Sequence, residues 1–231
     1  MDINVDCSFC QEINGYTDFS FFEIYLKDKY NAQGLNDRIV AESNNFFLMP
    51  MVGPLVPGYL LIVSKKHYFS FSHMNDELLN ETQLIQQAII DLFNKLYCNP
   101  VFFEHGPMSD VCKGGSCSVH AHLHCVAVQT DIYENLCQTD YDLIEISSLN
   151  EIQRQAVKNS PYLYYENQKG KKYLIEVEEI ESQYIRKQIA KQMGFMDKAE
   201  WSQNIQYEWM IDIIKQAKPY FNDLKGTSIW L

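Results

Sequence analysis

Between Phe46 and Val63 the chain carries no charged residue, yet Pro50, Gly53, Pro54, Pro57 and Gly58 interrupt the apolar run. A membrane-spanning helix of nearly this length is therefore disfavoured. The pattern predicts two buried strands around the Pro57-Gly58 turn, the second being the β-rich run from Tyr59 to Val63. Strand-like patterning starts at Arg38. After Asn75, a suitable helix N-cap, Leu78, Leu79, Thr82, Ile85, Ala88, Ile89, Leu92, Phe93 and Leu96 recur at helical spacing and predict one core-facing stripe. Beyond Pro100, the run from Val101 to Phe103, a loop through Glu104-His-Gly106 ending at Lys113-Gly-Gly-Ser116, and the run from Val119 to Val128 read as strand, glycine loop, strand. A strand pair around Gly170, a helix from about Ser182 stopped by Gly194, and a tryptophan-bearing helix from about Asn204 to Lys218 follow. Residues 1–36 show a Cys7-Ser-Phe-Cys10 knuckle and a mixed aromatic segment without a clear period, and no repeats occur.

These elements predict an α+β fold, an antiparallel sheet with the Asn75–Tyr97 helix packed on it. The expected division is a catalytic domain over 1–145 and an extension over 146–231 that packs on it as a strand pair and helices. Tyr162, Tyr164, Tyr165, Trp201, Trp209 and Trp230 argue that the extension is packed rather than disordered. A structural cap that buries an edge or a homodimer surface is the expected role, with a substrate lid as the alternative.

Charge narrows the partners. With 19 basic against 30 acidic residues the net charge is −11, which repels nucleic-acid backbones at long range and excludes non-specific nucleic-acid binding. A small phosphorylated substrate would have to be attracted locally, by Lys65, Lys66 or Lys113, within a Debye length of about 8–10 Å. The acidic start, Met1-Asp-Ile-Asn-Val-Asp6, has neither the basic nor the apolar region of a secretory signal, and seven cysteines then read as thiols or metal ligands rather than disulfides. The expected setting is the cytoplasm, away from the membrane.

The sharpest chemical feature is His120-Ala-His122-Leu-His124-Cys-Val-Ala127. Strict alternation on a strand puts the three imidazoles on one face, with neighbours roughly 7 Å apart. A phosphorus-attacking nucleophile, a histidine-only metal site and an ordinary strand with partly buried histidines all fit that spacing.

The surroundings favour the first. His120 to Ala127 resembles the motif of the histidine-triad superfamily, histidines alternating with apolar residues. Cys7-x-x-Cys10, Pro57-Gly58 before a strand ending Ser64-Lys-Lys-His67, the long helix and the glycine loop fall in that family's order over about residues 5–130. The resemblance implies a nucleotide substrate and a nucleotidyl-histidine intermediate formed on His122. It implies that His124 donates to a phosphate oxygen. It also implies a structural zinc near the active site, held by Cys7, Cys10, His67 and His120. Backbone N–H groups of Gly114, Gly115 and Ser116 would form an anion nest, and His105 would contact substrate or sit on an exposed loop. The leading function implied is hydrolysis of a dinucleoside polyphosphate or nucleotide phosphoramidate. Transfer to a second phosphate and a catalytically silent, zinc-stabilised interaction module are the alternatives.

Four positions depart from that pattern. Tyr59 stands where histidine commonly follows Pro-Gly. Ser116 stands six residues before the nucleophile, where many hydrolases have glutamine and the uridylyltransferase branch has a serine in this region. The ribose-binding acidic residue expected before Pro57 is missing from Met49-Pro-Met-Val52, and Glu104-His-Gly106 replaces the usual asparagine before glycine. His73, before the long helix, is expected at the surface, and the stretch from Pro161 to Leu231 resembles the C-terminal extensions of larger family members, including the splicing-associated branch.

Overall fold

The computed structural model describes residues 6–18, 20–138, 140–227 and 229–231, to which every structural statement below refers. The start of the acidic N-terminal segment, Met1 to Val5, lies outside them.

The chain opens with α1 (Ser8–Ile13), a turn of π-helix over Phe22–Leu26, and α2 (Lys27–Asn31). Then come β1 (Ala41–Glu42), β2 (Phe46–Pro50), β3 (Tyr59–Ser64), α3 (Asp76–Leu96), β4 (Val101–Gly106) and β5 (His122–Val126). The remainder is α4 (Tyr133–Cys137), β6 (Leu143–Ile146), α5 (Gln153–Lys158), β7 (Tyr162–Glu166), β8 (Lys172–Glu176), α6 (Tyr184–Gln192) and α7 (Tyr207–Asn222). The strands form one sheet in the order β1-β2-β3-β5-β4-β7-β8-β6, every pairing antiparallel. The uncharged stretch over 46–63 is thus β2 and β3, and no helix among the described residues is long and apolar enough to cross a membrane.

The two-residue period of the strands sorts side chains onto opposite faces. On β3, Leu60 and Ile62 join Leu123 and Cys125 of β5 on the face covered by α3 and α7. That face receives Leu79, Ile85, Ile89, Leu92 and Phe93 from α3, whose start is capped by Asn75 Oδ1 accepting from Leu78 N at 3.0 Å. From α7 it receives Met210, Ile211, Ile213, Ile214, Ala217 and Phe221. Tyr59, Leu61 and Val63 point the other way, toward Phe9 and Cys10 of α1 and toward Ile185, Ile189 and Ala190 of α6. The sheet is therefore the middle layer of three, and the histidines of β5 face the second, thinner helical layer.

Residues 146–231 continue this sheet. β7 pairs with β4 over five residues, with His105 opposite Leu163, and β6 straddles position 145 to pair with β8. A further tie runs through Gly53 in the β2–β3 connection: its N–H donates to Ile205 O at 3.1 Å and its carbonyl accepts from Arg186 Nη2 at 2.7 Å. Gly53 has φ +66°, and a Cβ there would run into the Trp201 carbonyl, so only glycine lets the two segments meet so closely.

On the α3 side, Glu104 is fully buried and accepts from Phe71 N at 2.9 Å and from the Tyr162 hydroxyl at 2.5 Å. Burial outweighs both bonds and pushes its pKa from 4.5 up to about 7. The folded state therefore holds a proton that the unfolded chain releases above its ordinary value, so stability falls as pH rises through that interval. The loss should be roughly 3 kcal/mol between pH 4.5 and pH 7. Urea unfolding of wild type and Glu104→Gln at pH 5 and pH 7.5 checks this: the Glu104→Gln chain should lose markedly less stability across the interval, and equal losses would contradict the assignment.

Candidate active site

The three triad histidines occupy the centre of the sheet, but they do not form an even row. The regular β5 ladder starts at His122. His120 precedes it, held in place because Ala121 N donates to Tyr68 O at 2.8 Å and Ala121 O accepts from Ser64 N at 3.2 Å. Val63 lies opposite His122, while Leu61 and Phe103 lie opposite His124 on either side. The rings of His122 and His124 converge to 4.9 Å between centroids, and that of His120 turns toward His67 at 5.0 Å.

His122 Nδ1 lies 2.6 Å from the His120 carbonyl oxygen. A carbonyl can only accept, so the proton sits on Nδ1 and the lone pair is left on Nε2. Burial is the main cause that brings the His122 pKa down to about 4, which makes the ring neutral near pH 7. His122 lines a cleft of about 390 Å³ whose walls include Phe9, Phe21, Met51, Val52 and Trp201, with Arg38, Asp110 and Lys113 among its charged residues. His124 Nδ1 meets the Tyr59 hydroxyl at 2.9 Å, and Phe103 stacks on its ring at 4.4 Å. Burial, and secondarily His122, hold His124 well below the usual histidine range. Tyr59 thus reaches the third histidine from the position where the sequence pattern led one to expect a histidine.

His105 is on β4, buried, and its Nε2 accepts from Ile185 N at the start of α6 at 3.2 Å. An exposed loop position, one of the two expectations for it, is ruled out because the strand extends through Gly106. Burial lowers its pKa to about 3, so it too is neutral. Gly114 and Gly115 adopt φ +52° and +78°. A Cβ on Gly115 would lie 2.7 Å from Ile180 Cγ2 and 2.9 Å from Glu181 O, and its carbonyl accepts from Gln183 N at 2.9 Å. Ser116 spends its N–H on Lys113 O at 2.9 Å and its hydroxyl on Ser118 O at 2.7 Å. The glycine loop is thereby fastened to the C-terminal segment. His105, Gly115, Ser116, His122 and His124 converge on a second cavity of about 10 Å³.

Cys7, Cys10, His67 and His120 bring four ligand atoms within 4.8 Å of one another. Cys7 Sγ lies 3.4 Å from His120 Nδ1, and Cys10 Sγ lies 3.3 Å from His67 Nδ1 and 3.5 Å from His120 Nδ1. Sulfur at about 2.3 Å and nitrogen at about 2.0–2.1 Å from one tetrahedral ion would be about 3.6 Å apart, so the donor set fits zinc with small adjustments. His120 Nε2 points the other way, 2.7 Å from Ser64 O, which fixes Nδ1 as the free donor atom.

Several site residues carry no signal in the sequence. Lys65 pairs with Glu42 and Lys66 lies over Tyr68, and of the three lysines expected to attract phosphate only Lys113 lines the cleft. Arg38, ion-paired to Glu12 at 2.6 Å, and Trp201, edge-on to Phe21 at 5.6 Å, come from distant segments. His73 is half-buried, its Nδ1 3.0 Å from Ser70 Oγ.

A family model described as "Protein similar to CwfJ C-terminal", a histidine-triad-like family, matches residues 30–140, just under half of the chain. No curated protein matches the chain. Among solved structures, a histidine triad protein from Clostridium difficile is similar at 21% identity, covering 55% of this chain and 95% of that one, with a TM-score of 0.39. A zinc-bound histidine triad family protein from Mycobacterium smegmatis is similar at 16% identity, covering 64% and 88%, with a TM-score of 0.39. The yeast Ap4A phosphorylase in complex with AMP is similar at 15% identity, covering 62% of this chain and 61% of that one, with a TM-score of 0.38.

Proposed function

We propose that this chain, a histidine-triad protein with a C-terminal extension, cleaves a nucleoside phosphate derivative by attack of His122 Nε2 on phosphorus. The observation that carries this reading is the 2.6 Å contact of His122 Nδ1 with the His120 carbonyl, which leaves a neutral imidazole with its lone pair on Nε2 beside the cleft.

In the first step Nε2 donates its electron pair to phosphorus and the leaving group departs with the electrons of its own bond. In the second, water attacks phosphorus, the P–Nε2 bond breaks with its electrons returning to His122, and the proton lost by the water passes to solvent. The Tyr59 hydroxyl, which burial keeps protonated, can donate to His124 Nδ1; the His124 proton then sits on Nε2, on the side of the small cavity, where it can donate to a phosphoryl oxygen. Phe9, Phe21 and Trp201 offer aromatic surface for a base. Cys7, Cys10, His67 and His120 would hold a zinc ion, whose contribution would be structural, with His120 linking the cluster to His122 through its carbonyl.

Turnover of a panel of dinucleoside polyphosphates and nucleotide phosphoramidates, with and without inorganic phosphate, tests the reading. Release of a nucleoside monophosphate, unchanged by phosphate, supports hydrolysis. A nucleoside diphosphate appearing only with phosphate assigns transfer, and no turnover of any member removes the enzymatic reading. Tyr59→Phe should fold normally yet lose about tenfold in kcat, because the His124 tautomer is then unspecified. Steady-state kinetics beside a melting curve checks it, and an unchanged kcat would remove Tyr59 from this role.

A further inference from the structure

The second helical layer brings to the histidines a cation that the reading above does not use. Arg186, one turn into α6, is 2% exposed. Its Nε donates to Ala199 O at 2.7 Å, and its Nη2 donates to Gly53 O at 2.7 Å and to Lys198 O at 3.0 Å. No carboxylate among the described residues pairs with it; the neighbouring Glu200 accepts from Gln183 instead. Nη1 is buried without any hydrogen-bond partner, and Arg186 lines the small cavity together with His105, Ser116, His122 and His124. A guanidinium remains charged at any ordinary pH. Although its carbon lies 5.8 Å from the centre of the Tyr59 ring and two of its nitrogens donate to backbone carbonyls, leaving Nη1 buried without a partner is costly unless an anion completes the site. With about 10 Å³, the cavity admits a group about the size of one water molecule or one oxygen atom.

We propose that Arg186 binds a non-bridging oxygen of the phosphoryl group held at His122, so that the C-terminal extension supplies the cationic half of the phosphate site. This rests on the nucleotide reading for the identity of the substrate, but the binding of a phosphoryl anion can be tested apart from it. Arg186 approaches from the extension, while His122 and His124 belong to β5; the oxygen is gripped between the two layers. The same helix start is locked to the site by Gln183 N on Gly115 O and by Ile185 N on His105 Nε2. Those two bonds fix the guanidinium relative to the nucleophile.

The probe is inorganic phosphate, read by the phosphate-dependent rise in melting temperature and by calorimetric titration of zinc-loaded protein. Arg186→Gln should weaken phosphate binding at least tenfold, and Arg186→Lys should restore part of it. A residue that only ties Gly53, Lys198 and Ala199 together would lower the melting temperature of the free protein and leave the phosphate-dependent rise intact; that result overturns the proposal, as does wild-type protein that binds no phosphate. If Arg186→Gln does not fold, a crystal structure of the wild type soaked in phosphate decides: an oxygen within about 3.2 Å of Nη1 supports the proposal, and phosphate bound away from Nη1 overturns it. Loss of covalent labelling at His122 would remove the nucleophile assignment and leave these anion measurements standing, so the two failures are told apart.

Discussion

Replacing His122 with alanine or asparagine is expected to lower turnover by roughly three or more orders of magnitude, since the proposed covalent route runs through its Nε2. Binding should persist, because the aromatic walls of the cleft, the glycine loop and Arg186 are untouched by the change. His124→Ala should differ in kind. It removes a donor to a phosphoryl oxygen, a loss worth roughly 2.7–4 kcal/mol or about a hundred- to a thousandfold in kcat, and a covalent intermediate should still form, more slowly. Single-turnover kinetics of the two variants beside equilibrium binding checks the contrast. Near wild-type turnover by His122→Ala would defeat the assignment.

The second large effect concerns the metal cluster. Purified protein is expected to carry about one zinc per chain, and Cys7→Ser or His67→Ala should abolish most of it. Structural zinc sites contribute on the order of 10–16 kcal/mol in small zinc peptides. A loss of even about 3 kcal/mol corresponds to roughly 6–12 °C in melting temperature for a chain of this size. The effect should reach the active site, because His120 presents its Nδ1 to the cluster and its carbonyl to His122. Elemental analysis with melting curves checks it, and metal-free protein of unchanged stability, purified without chelators, would contradict it.

Period and punctuation made much of this architecture legible beforehand. Asn75, the stripe from Leu78 to Phe93 and the Pro57-Gly58 turn act through neighbours in the chain, so local rules found α3 and β3 at nearly their observed bounds and a strand before the turn, which the structure places at Phe46–Pro50. The alternation of His120, His122 and His124 was visible for the same reason. The convergence of the His122 and His124 rings was not, since it depends on Phe103 stacking on His124 and on the His120 carbonyl accepting a hydrogen bond from His122 Nδ1. Arg38, Trp201 and Arg186 escaped because nothing local marks a side chain that reaches the site from a separate layer. Arg186 lies 64 positions after His122 in a helix whose pattern announces only an apolar face. An arginine on the buried side of an amphipathic helix, with no acidic residue three or four positions away, was the one available signal. The His105 loop expectation failed where the glycine at 106 suggested a turn but β7 extended the pairing of β4 through it.

The central claim, that His122 is the nucleophile, is tested most directly by rapid quench of the reaction with a substrate labelled on the α-phosphate, followed by mapping of the modified residue. A phosphorus–nitrogen bond at histidine is labile in acid and stable in base, so the account predicts label that survives alkali, is released by acid, and maps to His122. Label on another residue, or none while product accumulates in a burst, would contradict it.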